Sequence, residues 1–166
     1  MSGRGLVLGY GNPGRGDDGV GVRLAEMLET AAPRGVDVEA AIQPGIEHAA
    51  AVAEHDWVVF VDAAAGGRSP CALRRVKPCH GAAFSTHVVD LGSILAIARE
   101  SFGSRTPAWL LAVRGYEFGV TEKLSAGAVR NLGRALARVR GHIGRLQRNE
   151  GARDGDNREY DNPDHR

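Results

Sequence analysis

Three stretches of the 166-residue sequence carry side chains that could do chemistry together. "LVLGYGNPGRGDD" ends in Asp17 and Asp18, "DWVVFVDA" ends near Asp62, and "STHVVDL" contains His87. Two hard carboxylates and one imidazole, arriving on separate loops, suit a borderline divalent ion such as nickel or zinc better than calcium, which prefers all-oxygen coordination. The donor set alone does not choose between those two metals. Asp90, three residues after His87, could face it across one helical turn and orient the ring as a hydrogen-bonded carboxylate. Each residue also has an ordinary role open to it. Asp17 or Asp18 can cap a helix N-terminus, with Asp17 the better candidate; Asp62 can order a loop; His87 can simply begin a helix.

Other chemistries fit less well. Gly9, Gly11 and Gly14 have the G-x-G-x-x-G spacing that lets a backbone approach a pyrophosphate. Pro13 and Arg15 interrupt that turn, however, and the double aspartate would set negative charge against a phosphate. The sequence has no G-x-S-x-G elbow, and Ser85 stands two residues from His87, where a helix cap explains it. Cys79, between Pro78 and His80, has no evident partner for a thiol mechanism. No H-E-x-x-H is present, and the reversed metalloprotease motif suggested by Glu47-His48 needs a histidine where Pro44 stands.

The elements that must position these residues follow from hydrophobic period. Residues 4–10 read as a buried strand, and residues 18–30 as an amphipathic helix with Val20, Leu24, Met27 and Leu28 on one face. Residues 34–42 alternate as a strand, 46–55 are alanine-rich and helical, and 56–63 form the strongest strand. A strand over 71–77, a helix from Ser85 or Thr86 to Phe102, a strand over 107–117 and a long helix over 124–146 complete the set. The order β-α-β-α-β-β-α-β-α predicts one α/β domain over residues 1–146. Its sheet is mostly parallel and twisted, with about five strands, one of them able to run antiparallel, and helices on both faces. In such folds ligands bind outside the carboxyl ends of the strands, where Asp18, Asp62 and His87 would converge. Residues 147–166 lack apolar period and read as a polar, disordered tail.

Composition narrows the function classes. With 21 basic and 20 acidic residues the net charge is +1, so no global field steers the chain toward nucleic acid. The arginines from Arg130 to Arg148 read as a solvated helix face, and no RNA-binding signature accompanies them. Two cysteines, Cys71 and Cys79, without a C-x-x-C or a disulfide framework, favour a reducing compartment. The first residues lack a signal-peptide pattern, and the longest apolar runs fall far below the ~20 residues that span a bilayer, so a cytoplasmic protein without a membrane partner is expected.

"LGYGNPGRGDDGVG" resembles the N-terminal signature of the hydrogenase maturation endopeptidases, G-x-G-N-x-x-x-x-D-[DE]-x-x-G. "VVFVDAA" is similar to the strand that ends in Asp-Ala in that family, "STHVVDL" to its Ser-x-His segment, and "GYEFGVTEKLSAGAV" to a late loop and helix start. The resemblance implies a peptidase that removes a C-terminal extension from the large-subunit precursor of nickel-iron hydrogenase after nickel insertion. It also implies that Asp18, Asp62 and His87 contact nickel carried by the precursor rather than a metal held tightly by the enzyme. Pro13 and Gly14 stand where the family often has a bulky apolar pair, and "QPGIEH" replaces a Gly-Thr-x-Gly-like element. Two other functions remain open on the same residues: a non-catalytic nickel-sensing chaperone or docking protein for hydrogenase assembly, and a peptidase of the same fold with another substrate.

Overall fold

Runs of β-branched and apolar residues separated by helical stretches produce the alternation of elements observed in the computed structural model of the chain, which describes residues 3–31, 33–79 and 90–148. The strands are β1 (Gly5–Tyr10), β2 (Val36–Ala41), β3 (Trp57–Ala64), β4 (Cys71–Val76) and β5 (Ala108–Arg114). The helices are α1 (Val20–Ala31), α2 (His48–Ala53), α3 (Leu91–Phe102) and α4 (Ala126–Gln147). One sheet has the order β2-β1-β3-β5-β4. All neighbours pair in parallel except β4, which runs antiparallel to β5 at the edge. The expected α/β class and mostly parallel five-stranded sheet are therefore present.

Alternation along the central strands sorts the core into two layers. Val7, Val59, Val61, Leu111 and Val113 pack with α1 and α4 on one face. Leu6, Leu8, Val58, Phe60 and Leu110 pack with α2 and α3 on the other. Burial of each such side chain is worth about 2 kcal/mol, which makes this two-sided sheet a rigid platform for whatever its loops carry.

Two close backbone approaches fix α1. Gly9 and Gly21 face one another, and a Cβ on Gly21 would meet the carbonyl oxygens of Tyr10 and Val61. The first turn of α1 thus rests directly on β1 and β3. This contact shifts the buried stripe of the helix toward Gly21, Leu24, Ala25 and Leu28, and leaves Met27, expected inside, 43% exposed at its margin.

Other boundaries differ from expectation for identifiable reasons. Residues 16–19 form a single 3-10 turn before α1 instead of its first α-helical turn. The helix α3 begins at Leu91, because the Asp90 carboxylate accepts from Gly92 N at 2.6 Å and Ser93 N at 3.4 Å with Asp90 itself extended. Asp90 is therefore its N-cap, which corrects both the Ser85 or Thr86 cap and a role for Asp90 within a shared helical turn with His87. Ser85, Thr86 and His87 lie outside the described residues, as does the tail from residue 149. Gln147, placed in that tail by sequence, is instead the last residue of α4 and donates to Arg34 O at 2.7 Å. Cys71 is buried and Cys79 exposed, both as free thiols. Among the described residues no helix is long and apolar enough to cross a membrane.

Candidate active site

The chain leaves β1 for α1 on one face of the sheet, whereas β3 is reached through α2 on the other. β1 and β3 are neighbours, so their carboxyl ends mark the place where connections diverge, the position at which open α/β sheets form binding crevices. Asp18 lies just beyond β1 and Asp62 near the end of β3.

The turn that carries Asp18 is folded by its own backbone. Gly11 takes a positive φ of 131°, and its N–H donates to Ala41 O and Ile42 O, both at 3.1 Å. The Asn12 side chain accepts from Gly14 N at 2.9 Å, closing the turn, while Asn12 N donates to Asp18 Oδ2 at 2.7 Å. The carboxylate of Asp18 is thereby held back over the turn, half-buried.

Asp62 is set by the register of the sheet. Gly9 pairs with Val61, which brings Tyr10 level with Asp62. By strand alternation both belong to the face of Leu8 and Phe60. The Asp62 carboxylate accepts from Ala63 N at 2.7 Å and from the Tyr10 side chain. Burial pushes its pKa from 3.8 up to about 6; the hydrogen bonds from Ala63 and Tyr10 oppose that rise, and the charge of Asp18 adds to it. The two carboxylates are thus close enough to feel one another. Like charges brought together at a strand end, one of them partly desolvated, form an arrangement that a cation would relieve.

Of the three residues predicted from sequence, Asp18 and Asp62 come together, and His87 falls outside the described residues. Among the described residues no group of three or more His, Cys, Asp or Glu side chains could hold a metal ion. Tyr10 was missed by sequence reasoning. Its signal is the period-2 run Leu6, Leu8, Tyr10, but its relation to Asp62 requires knowing that β1 and β3 pair.

Asp17 corrects an expectation. No side chain caps the 3-10 turn that leads into α1. Asp17 is instead fully buried, its Oδ2 accepting from Tyr116 N at 2.7 Å, Glu117 N at 2.9 Å and Ser125 Oγ at 2.7 Å, and its Oδ1 from Ser125 N at 2.7 Å. Burial alone would raise its pKa, but the amides of Tyr116, Ser125 and Glu117 and the Ser125 hydroxyl outweigh that and hold it below the usual value. Partners about a hundred residues away satisfy the carboxylate better than the adjacent helix start could.

No protein-family model matches the chain, and no curated protein matches it by sequence. Solved structures do. The NiFe hydrogenase maturation protease HycI from Thermococcus kodakarensis superposes with a TM-score of 0.67 at 26% identity, covering 85% of this chain and 92% of that one. The hydrogenase maturating endopeptidase HybD from Escherichia coli gives 0.69 at 24% identity over 85% and 92%. The hydrogenase 2 maturation peptidase from a Thaumarchaeota archaeon gives 0.64 at 20% identity over 85% and 98%. Across nearly their whole length, the chain has the fold of the hydrogenase maturation proteases.

Proposed function

We propose that this protein is an endopeptidase that removes the C-terminal extension from a nickel-loaded large-subunit precursor of nickel-iron hydrogenase. The observation that carries this reading is the Asp18–Asp62 pair at the β1–β3 divergence, on a fold shared with proteases of hydrogenase maturation. Nickel belongs to the substrate. Asp18, Asp62 and His87 would receive it from the precursor, and a docked cation would drive the proton off Asp62 and leave both carboxylates charged. A divalent ion so held supplies Lewis acidity to the scissile carbonyl or to a water beside it. Water adds to that carbonyl, the C–N bond breaks, and the leaving amine takes up a proton. No covalent acyl-enzyme is required.

The half-buried carboxylates suit a partner protein approaching along the rim of the sheet. Free Cys71 and Cys79 agree with a reducing, cytoplasmic setting, where such a precursor would be met. Neither a nucleic acid nor a membrane is part of this reading. The test is to mix purified protein with nickel-loaded precursor and follow precursor mass. Wild type should release the extension, and Asp18→Ala and Asp62→Ala should not. Tight, nickel-dependent binding without cleavage would replace this reading with that of a docking or nickel-sensing chaperone. Cleavage at the wild-type rate by both variants would remove these residues from the mechanism.

A further inference from the structure

The segment between β5 and α4, residues 115–121, is bound at both ends to the two segments that carry the site carboxylates. At one end Gly115 N donates to Ala64 O at 2.9 Å, two residues beyond Asp62. At the other, Gly16 N donates to Thr121 O at 2.7 Å, Thr121 N to Gly14 O at 3.1 Å, and Asp17 N to Glu117 O at 2.8 Å. Between these lies the wholly buried Asp17 carboxylate, which takes the Tyr116, Glu117 and Ser125 amides and the Ser125 hydroxyl. The Ser125 hydroxyl in turn accepts from Ala128 N at 3.1 Å, so the same network caps α4. These backbone bonds and the Asp17 side chain together fasten the loop after β5 to the turn after β1, and the side chain adds the start of α4 to the joint.

The tip of this loop is unused by the fold: Val120 is 96% exposed. Tyr116, 48% exposed, is held beside it by Asn131 Nδ2, which donates to its hydroxyl at 3.1 Å, and by the Arg114 guanidinium over its ring. On the other flank of the Asp18 turn, Ile42, whose carbonyl accepts from Gly11 N, is 69% exposed. Apolar side chains therefore border the acidic turn on both sides, which fits an extended polypeptide carrying apolar residues next to a cation-bearing site better than it fits a small charged ligand.

Building on the function proposed above, we propose that Asp17 is a positioning residue that clamps loop 115–121 across the segments bearing Asp18 and Asp62, and that the clamped loop is the wall receiving the substrate polypeptide. The neighbouring aspartates then divide the work. Asp18 faces the substrate, while Asp17 faces inward and sets where Asp18, Asp62 and Val120 stand relative to one another.

The test uses the full chain and two substitutions. In Asp17→Asn, amide hydrogen exchange at Tyr116, Glu117 and Ser125 should accelerate, and displacement of the site should lower kcat/KM on nickel-loaded precursor by about 100-fold. In Val120→Asp, which alters a side chain the fold does not use, KM should rise roughly tenfold with kcat held, the signature of lost binding shared by ground and transition states. Unchanged exchange in Asp17→Asn overturns the clamp, whatever the activity. Wild-type cleavage with unchanged KM in Val120→Asp overturns the substrate wall and leaves the proposed function standing. Should Asp17→Asn fail to fold, Ser125→Ala, which removes one donor to Asp17, takes its place in the exchange and kcat/KM measurements with the same results for and against the clamp, and the Val120→Asp KM decides the wall. A wild type that leaves loaded precursor intact overturns the proposed function itself.

Discussion

Replacing Asp62 by asparagine should change how stability depends on pH, by an amount that follows from where Asp62 sits. Its folded pKa of about 6 lies above the ordinary 3.8, because burial disfavours the charged form and Asp18 adds like charge. For an acid shifted in this direction, the stabilising contribution is fully present below the unfolded pKa and is lost as pH rises through the folded one. At about 1.4 kcal/mol per pKa unit, wild type should lose about 3 kcal/mol of unfolding free energy relative to Asp62→Asn on going from about pH 3.5 to pH 7. The side-chain amide introduced by the substitution keeps an oxygen to accept from Ala63 N and has an NH2 that can donate to the Tyr10 hydroxyl, so the two proteins differ chiefly in titration. Asp17, shifted the opposite way, is present in both and cancels in the difference. Denaturant melts of both proteins at several pH values, with chelator present, measure this directly. A difference that is flat with pH, or that moves in favour of wild type as pH rises, would refute the placement of Asp62 in a desolvated, acid-flanked position.

Three further outcomes follow. Asp90→Ala should cost about 1 kcal/mol in a denaturant melt, since it removes the cap of α3 and frees Gly92 N and Ser93 N. Gly21→Ala should destabilise by about 1–3 kcal/mol, because the added methyl meets the Tyr10 and Val61 carbonyl oxygens and must push α1 off the sheet; a neutral melt would contradict that close approach. His87→Ala should abolish cleavage of nickel-loaded precursor while serine- and thiol-directed inhibitors leave wild type active, and normal cutting by that variant would exclude His87 from the site.

The fold was largely legible because the central strands β1, β3 and β5 are apolar runs buried on both faces and β2 alternates, so strand and helix periods differ sharply. "DWVVFVDA" could hardly be anything but a central strand, and its end placed Asp62 at the rim. The pairing of strands was not legible. That β1 lies between β2 and β3, which brings Tyr10 beside Asp62, is decided by packing of both faces together. Local rules also misled where a longer-range partner competes. Asp17 has the type and position of a helix cap, yet it finds four donors in residues 116–125 and turns inward. Ser85 and Thr86 have the residue type of a cap for α3, although Asp90, with its carboxylate on the amides of Gly92 and Ser93, fills that role.

Nickel-dependent peptide-bond cleavage is most directly tested with one preparation of hydrogenase large-subunit precursor divided into nickel-loaded and nickel-free portions, each incubated with this protein and weighed intact by mass spectrometry. Loss of the C-terminal extension from the loaded portion alone is the predicted result. An unchanged mass in both portions, or equal cleavage of both, would contradict it.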